Sequence, residues 1–233
     1  MERLDKRLSA AGFSRKEAGA CIRTGRVTVD GTVVTAPERR VEETAIVAVD
    51  GAPLRTGCCY VMLHKPAGVV TATEDARERT VLDLLPEELR RRGLFPVGRL
   101  DKDVTGLVLL TDDGPLGHKL TSPRHHVDKV YEVTVDGVFT EEDRQALADG
   151  LKLGDGLQCL PAELRLTDGL DTALLTIREG KFHQVKRMMA CLGKPVKTLK
   201  RLSMGSLTLD EGLKPGEWRY LTAEERETLV KSD

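Results

Sequence analysis

The first hydrophobic residues of the chain recur at helical spacing. Leu4 and Leu8 fall on one face of a predicted helix that ends before Gly12. The run Ser14–Glu17 then has the form of a capping box, in which a serine and a glutamate satisfy free backbone amides at a helix start. It predicts a second helix, which closes at Gly25 because glycine commonly follows the last turn.

The pattern then changes from helical spacing to short β segments. Two such segments within Arg26–Val34 flank Asp30–Gly31, and Asp-Gly is a strong signal for a tight hairpin turn. A third strand is predicted at Ala45–Val49. Residues 1–50 are therefore predicted to form a small helix-helix-hairpin module, and residues 51–58, which contain two glycines and a proline, to form a linker.

Strands outnumber helices in the rest of the chain. The predicted strands are Tyr60–Leu63, the apolar run that ends at Thr111, Val127–Val135, Gln158–Arg165, Thr172–Arg178 and segments within Val196–Leu209. The predicted helices are Val81–Arg92, a short one with Pro115 in its first turn, Glu141–Ala148 and His183–Leu192. His64–Gly68 is predicted to be a turn, and the chain ends in a tail with Trp218 and Tyr220. Because several connections are hairpin-like, we expect residues 59–233 to form a mostly antiparallel, mixed-sheet domain of the α+β class.

The composition is that of an ordinary globular protein. Of its residues, 40% are hydrophobic and 31% are charged. The length of 233 residues is enough for one large or two modest domains. No apolar run approaches the roughly 20 residues of a membrane helix, and the chain starts with charged residues, so a cytoplasmic protein is predicted. The five cysteines lack the spacing of metal ligands, which predicts reduced thiols and no metal.

The distribution of charge is more informative than the net charge of −1. Residues 2–26 contain seven basic and three acidic residues, and residues 176–206 contain eight basic residues and one acidic residue. Two basic regions indicate a polyanion bound at two places, because a phosphate backbone responds to local charge. Either region alone is better explained as a solvated face.

Four charged residues come directly before the apolar run that ends at Thr111. They are Arg99, Asp101, Lys102 and Asp103. One of the two carboxylates could be a nucleophile held in its ionised form by a nearby cation, or the four could form a salt-bridged turn. The segment Glu179–Met188 offers further cations at a helix start, which favours bound anions. A basic, exposed helix end packed through Val185 and Met189 is an equally good explanation on spacing alone.

These segments carry a resemblance to known families. Residues 1–50 resemble the S4-like RNA-binding domain in the order of their elements and in Arg3–Lys6. The run Gly98–Leu107 is similar to the catalytic motif of the RsuA-type pseudouridine synthases, which isomerise uridine in ribosomal RNA. Three further motifs match in the same order, at Lys65–Gly68, Lys129–Tyr131 and Glu179–Met188.

The resemblance implies a role for several residues. Asp101 corresponds to the nucleophile, Tyr131 to the aromatic residue that stacks on the target base, and Lys186 to the base that pairs with the nucleophile. Tyr131 could instead be plain core, because it shares a strand face with valines. No cofactor and no metal are implied. The residues predicted to contact RNA are Arg99, Arg3, Lys6, Arg7, Arg15, Lys16, Arg23, Lys181, His183 and Arg187.

Some positions depart from the common pattern of the family. His64 stands where asparagine is frequent, Val104 where threonine is frequent, and Lys186 where many relatives have arginine. A lysine keeps the positive charge but loses the two-pronged guanidinium contact.

The predicted function is isomerisation of a uridine in small-subunit ribosomal RNA, free or in an assembly intermediate, by a monomer. The run Phe182–Gln184 resembles the small-subunit branch of the family. The alternatives are the same reaction on large-subunit RNA, a non-catalytic RNA-binding protein of ribosome assembly, and a carboxylate hydrolase.

Overall fold

The computed structural model describes residues 1–54 and 57–231, which form two compact units. The first unit contains residues 1–59 and 85–94, and the second contains residues 60–84 and the chain from residue 95 onward. Of the predicted linker 51–58, Arg55 and Thr56 lie outside the described residues. Residues 85–94, which the sequence pattern assigns to the second domain, group with the first unit.

The first unit combines three short helices with two small sheets. Its helices are α1 (Leu4–Ala10), α2 (Arg15–Arg23) and α3 (Glu87–Arg90). Its strands are β1 (Glu2–Arg3), β2 (Val27–Val29), β3 (Thr32–Val33), β4 (Arg40–Val41), β5 (Val47–Val49) and β6 (Ala52–Pro53). The larger sheet has the order β3-β2-β5-β6, and β1 pairs with β4. Leu4, Leu8, Ile22 and Val27 are fully buried in its core.

The local signals in this unit are confirmed. The Ser14 hydroxyl accepts from the Glu17 amide at 3.2 Å, and the Glu17 carboxylate accepts from the Ser14 amide at 2.8 Å. Asp30 and Gly31 have φ angles of 50° and 80°, as a two-residue hairpin turn requires. Both motifs depend on neighbouring residues alone, which is why the sequence predicts them.

The second unit is built on a nine-stranded sheet. Its strands are β7 (Tyr60–Lys65), β8 (Phe95–Val97), β9 (Thr105–Thr111), β10 (Lys129–Val135), β11 (Glu163–Leu166), β12 (Thr172–Ile177), β13 (Val196–Met204), β14 (Leu207–Thr208) and β15 (Trp218–Tyr220). The order is β11-β12-β10-β13-β9-β7-β15, with β8 on β9 and β14 on β13. Only β13 and β9 pair in parallel among the described strands, so the predicted α+β class with a mostly antiparallel sheet is confirmed.

Four helices accompany this sheet: α4 (Gly114–Thr121), α5 (Glu141–Asp149), α6 (Gln184–Cys191) and α7 (Ala223–Lys231). Thr140 caps α5 through its hydroxyl. Pro115 lies in the first turn of α4, as predicted. Short 3₁₀ turns occur at Leu82–Leu84 and Pro123–His125.

Four predicted elements need correction. The strand predicted at Gln158–Arg165 is found only at its end, where β11 covers Glu163–Leu166. The helix predicted at Val81–Arg92 is only a 3₁₀ turn followed by α3, because Pro86 lacks an amide hydrogen and disfavours helical geometry in the residue before it. His64 and Lys65 are buried strand residues at the end of β7, not a turn. The C-terminal tail contains β15 and α7, and a capping box between Thr222 and Glu225 is the signal for α7 that was missed.

One glycine determines how β9 meets β13. Gly106 has a φ of 108°, and a Cβ atom there would lie 2.2 Å from the Arg201 carbonyl oxygen. A side chain is therefore excluded at this position, and the two backbones approach closely. The approach brings the loop that precedes β9 next to β13.

Within residues 1–54 and 57–231, no helix is long and apolar enough to cross a membrane. All five cysteines are outside disulfides; Cys21, Cys59 and Cys159 are buried, whereas Cys58 and Cys191 are exposed.

Candidate active site

The loop between β8 and β9 contains Asp101 and is held in place by hydrogen bonds with Thr71. The Thr71 hydroxyl donates to the Leu100 carbonyl oxygen at 2.8 Å and lies 3.2 Å from the Leu100 amide nitrogen. The Val104 amide donates to the Asp101 carbonyl oxygen at 3.1 Å. The backbone on both sides of the Asp101 carboxylate is thus fixed by hydrogen bonds, which is the condition for a pre-arranged site.

A buried lysine braces the same loop. The Lys65 Nζ, with its residue 0% exposed, donates to the carbonyl oxygens of Pro66, Lys102 and Val104 at 3.0, 3.1 and 2.7 Å. Burial lowers the pKa of Lys65 to about 8, while the charges of Asp103 and Asp101 oppose that shift. The ammonium is still the main form at neutral pH, and it ties the end of β7 to the loop.

Lys186 joins the start of α6 to both carboxylates. Its Nζ lies 3.1 Å from Asp101 Oδ2 and 2.6 Å from Asp103 Oδ1. Burial acts against the charged form of Lys186, but the hydrogen bonds and charges of Asp103 and Asp101 together raise its pKa above the ordinary value. The hydrogen bond from Lys186 is the main cause that lowers the pKa of Asp103.

The structure therefore brings Asp101 and Lys186 together, and it adds a partner that the sequence analysis missed. The sequence pattern left Asp103 as a possible nucleophile or as part of a salt-bridged turn, whereas in the structure its carboxylate contacts a lysine 83 positions away. Its side chain is 73% exposed, whereas that of Asp101 is 28% exposed. The more sheltered of the two carboxylates is the better candidate for chemistry that excludes water.

His183 stands directly before α6, beside Asp101. Its Nε2 lies 3.6 Å from Asp101 Oδ1, and its backbone is in the left-handed region with φ of 48°. Its ring stacks on the ring of Phe182, with centroids 3.8 Å apart and an angle of 19° between the planes. His183 was predicted to contact RNA, and the structure places it next to the carboxylate.

Two other cations of this region are engaged in ion pairs. Lys181 Nζ lies 2.9 Å from Glu179 Oε2 and donates to the Gln158 carbonyl oxygen at 2.6 Å. Arg187 pairs with Asp155. The hydrogen bond from Lys181 to Gln158 and the ion pair of Arg187 with Asp155 connect the start of α6 to the loop around residues 153–160, so these two residues, predicted to contact RNA, also support the local structure.

Tyr131 lies in the buried face of β10, with 7% of its surface exposed. It stands opposite Arg201 of β13, and Arg201 stands opposite Gly106 of β9. Neighbouring strands are separated by about 4.8 Å, so the Tyr131 backbone lies about 10 Å from the start of β9. Tyr131 is thus both a core residue and a neighbour of the strand end from which Asp101 is presented.

Arg201 is a buried cation that the sequence analysis counted only as part of a basic region. It is 1% exposed, and its Nε donates to the Leu107 carbonyl oxygen at 2.9 Å. Its Nη2 is buried and has no hydrogen-bond partner among the described residues. Leu199, two residues earlier on the same face of β13, is also buried, but the sequence gives no reason for an arginine to share that burial, because charged side chains are almost never fully buried without partners.

The remaining predicted RNA contacts divide into exposed and buried residues. Arg99 is exposed on the loop of Asp101. In the first unit Lys6, Arg15, Lys16 and Arg23 are exposed, and Arg3 is exposed but pairs with Asp5 at 2.7 Å.

Arg7 is a correction to the set. It is 3% exposed and donates to the carbonyl oxygens of Glu42, Glu43 and Ala45 at 2.5, 2.8 and 3.1 Å. Its position between Leu4 and Leu8 turns it toward the core, where it supports the chain before β5 and presents no charge to a ligand.

The described residues contain no group of three or more histidine, cysteine, aspartate or glutamate side chains arranged to hold a metal ion.

Comparison with known proteins shows which family the chain belongs to. A family model described as RNA pseudouridylate synthase matches residues 59–191, and an S4 domain model matches residues 2–47. The chain is 46% identical to an uncharacterised RNA pseudouridine synthase of Bacillus subtilis (strain 168), with 97% of this chain and 98% of that protein covered. It is 44% identical to the ribosomal small subunit pseudouridine synthase A of Escherichia coli (strain K12), with 98% and 100% covered.

A solved structure agrees with these matches. A crystal structure of a pseudouridylate synthase covers 99% of this chain and 100% of its own, with 38% identity and a TM-score of 0.70. The fold and the matched domains define an RNA-modifying isomerase. The chain belongs to the RNA pseudouridylate synthase family: it is a pseudouridine synthase with an N-terminal S4 domain.

Proposed function

We propose that this pseudouridine synthase modifies a uridine of small-subunit ribosomal RNA and that Asp101 is its nucleophile. Relatives that match over their whole length, from Vibrio cholerae and Escherichia coli, are named ribosomal small subunit pseudouridine synthase A, at 44% identity each. The observation that carries the proposal is the sheltered Asp101 carboxylate, 3.1 Å from the Lys186 ammonium.

The reaction exchanges one bond of the uridine for another. The bond between N1 of the base and C1′ of the ribose breaks, and a bond between C5 and C1′ forms. The proton on C5 leaves and N1 gains a proton, so no electrons are gained or lost and no cofactor is required. A carboxylate in a partly enclosed site is suited to the nucleophilic step, and the Lys186 ammonium beside it supplies a counter-charge.

The base must leave its stack before this exchange. Flipping a nucleotide out of RNA costs on the order of a few kcal/mol, which stacking and phosphate contacts offset. In the proposal Tyr131 stacks on the flipped uracil, and the exposed Arg99 occupies the space that the uridine leaves.

The S4 domain supplies RNA affinity that does not depend on sequence. Its exposed cations Lys6, Arg15, Lys16 and Arg23, together with Arg3, are proposed to contact phosphates, which position RNA without reading bases. The domain limits 1–50, 51–58 and 59–233 belong to the same proposal, as do a monomeric enzyme and a cytoplasmic site of action.

The experiment is release of tritium from C5 of uracil in unmodified ribosomal RNA. Wild-type protein should release label from small-subunit RNA, and Asp101→Asn should not. Release from large-subunit RNA alone would replace the proposed substrate with the alternative. Tight RNA binding without release from either RNA would leave a non-catalytic binding protein.

A further inference from the structure

One aromatic side chain beside the Asp101 site is exposed. Phe182 is 76% exposed, the largest fraction among the large hydrophobic residues that the structure describes. Aromatic residues make up only 3% of the chain. An exposed apolar ring at the edge of a site is a common sign of a ligand contact.

The ring of Phe182 continues a short row of groups that starts at Asp101. The carboxylate lies 3.6 Å from His183 Nε2, and the His183 ring is stacked on the Phe182 ring at 3.8 Å. The left-handed backbone of His183 is rare for a residue with a side chain, and at this position the two consecutive rings lie face to face. We call these two residues the aromatic stack.

A pocket borders the aromatic stack at Phe182. It is an open pocket of about 580 Å³, within the size range of small-ligand sites. Phe182, Ala190 and Cys191 are among the residues that line it, and the ion pair of Arg187 with Asp155 belongs to its wall. Phe182 therefore borders both His183 and an open space that can hold a planar group.

We propose that the aromatic stack and this pocket bind the base of the nucleotide next to the flipped uridine. When a nucleotide leaves the stack, its neighbour loses a stacking partner, and the ring of Phe182 replaces that partner. Stacking of a base on an aromatic ring tolerates any base, because every base has a π face. The inference rests on the proposed function, since it requires a flipped uridine at Asp101.

The surroundings favour RNA over a protein surface as the occupant. The aromatic stack adjoins the carboxylate that reacts with the uridine, so the neighbouring nucleotide is the first group to reach it. The segment 176–206 has eight basic residues and one acidic residue, which suits a phosphate backbone. The guanidinium of Arg187 at the pocket can also stack on a base.

The first test is substitution of Phe182 with tritium release from small-subunit RNA as the readout. Phe182→Ala and Phe182→Leu should raise KM about 5- to 100-fold, the usual effect of losing one stacked base, with a smaller change in kcat. Phe182→Trp should stay within about threefold of wild type, because it keeps a ring. Leu170→Ala is the matched control, since Leu170 is 69% exposed and lies outside the pocket.

Thermal unfolding separates this role from a structural one. Because Phe182 is exposed, none of its variants should change the unfolding temperature. Equal KM values for the alanine and tryptophan variants would overturn the inference. A loss that appears on ribosomal particles but not on naked RNA would instead identify a protein contact.

The decisive test pairs the protein with altered RNA. The substrate is a short synthetic RNA that contains the target uridine in unmodified form. An abasic nucleotide on one side of that uridine should raise KM as much as Phe182→Ala does. The two changes together should add no further loss. Full additivity, or no effect of an abasic nucleotide on either side, would show that Phe182 binds no neighbouring base.

A binding readout distinguishes failure of this inference from failure of the proposed function. Cys191 is exposed and lines the pocket, so bound small-subunit RNA should slow its alkylation by a maleimide in wild type and not in Phe182→Ala. This measurement needs no turnover. If RNA protects Cys191 but no label is released, the proposed function is wrong and RNA binding at the pocket still holds. If label is released but RNA does not protect Cys191, base binding at the pocket is wrong and the proposed function still holds.

Discussion

The S4 domain and the Asp101 site use basic residues in opposite ways. In the S4 domain Lys6, Arg15, Lys16 and Arg23 are exposed. Around Asp101 three cations have partners within the protein: Lys65 has three carbonyl oxygens, Lys186 two carboxylates, and Arg187 the Asp155 carboxylate. Basic residues are thus accessible to a ligand in one unit, whereas several of them are fixed by internal partners in the other.

The difference has an energetic basis. An exposed lysine or arginine remains hydrated, gains little from a single ion pair, and stays available for a phosphate. A buried cation must have partners, since leaving it without them costs several kcal/mol. Partnered cations are therefore fixed in place, and groups that position a reacting carboxylate need to be fixed.

The largest expected effect comes from Lys186. Lys186→Met should reduce kcat roughly a hundredfold to a thousandfold, the range for loss of one charged or hydrogen-bonding group from an active site. Lys186→Arg should recover most of the activity, because it keeps the positive charge. The pKa of Asp103 should also rise in Lys186→Met, since its hydrogen bond with Lys186 is the main cause of its lowered pKa.

Carboxylate titration by NMR and tritium release measure the two effects of the Lys186 variants. Lys197→Met is the matched control, because Lys197 pairs with the exposed Asp136 at 3.2 Å. Unchanged kcat in Lys186→Met would contradict the idea that cations of this region build the site.

Lys65 should influence stability more than binding. Lys65→Met should lower the free energy of unfolding at pH 7 by roughly 2 kcal/mol, because three carbonyl oxygens lose their donor while a buried charge is removed. Denaturant unfolding measures this change. The exposed Lys214, replaced by methionine, serves as control.

The pH dependence tests the same residue. The pKa of Lys65 is about 8 in the folded protein and 10.5 is its ordinary value. Between these pH values the unfolded chain binds a proton at Lys65 that the native protein does not bind. The free energy of unfolding of wild type, relative to that of Lys65→Met, should therefore rise with pH in this range. The total rise should be at most about 3 kcal/mol. Below pH 8 the difference should be flat. A difference that falls between pH 8 and 10 would contradict the depressed pKa.

Substitutions in the S4 domain are expected to have the smallest effect per residue, and this effect is on RNA affinity. Replacement of Lys6, Arg15, Lys16 and Arg23 by alanine should weaken RNA binding about 30-fold and reduce the slope of log affinity against log salt by up to about 3, because each contact with single-stranded RNA contributes about 0.7. The rate constant at saturating RNA should not change. Filter binding at several salt concentrations measures the slope.

The control for the S4 variant is a second set of four exposed cations, outside that domain: Lys152, Arg165, Lys214 and Arg226. Their replacement by alanine should leave the slope within about 1 of wild type. If both quadruple variants reduced the slope of log affinity against log salt by the same amount, the S4 domain would contribute no more to RNA binding than the rest of the protein.

The sequence predicts those parts of the fold that neighbouring residues determine. The capping boxes at Ser14 and Thr140 and the turn at Asp30–Gly31 are readable because each needs only residues within three positions. The alternation of β10, with Tyr131, Val133 and Val135 buried, is also readable, because a strand repeats every two residues. Pro86 marks the break in the helix predicted at 81–92 by the same local logic, although it was overlooked.

The burial of a charged side chain cannot be predicted from its neighbours in the sequence. Arg7 is surrounded by carbonyl oxygens 35 to 38 positions away, and two of the three acceptors of Lys65 lie 37 and 39 positions away. Such partners exist only after the chain has folded. The pairing of Lys186 with Asp101 came from a family motif, and the second partner, Asp103, came from the structure.

The most direct test of the account compares two neighbouring carboxylates that share one lysine. Tritium release from small-subunit RNA should fall to background in Asp101→Asn, whereas Asp103→Asn should retain activity within about tenfold of wild type, because the proposal makes Asp101 alone the nucleophile. Both variants remove one partner of Lys186, so loss of the ion pair alone cannot explain the difference. Activity retained in Asp101→Asn and abolished in Asp103→Asn would contradict the central claim.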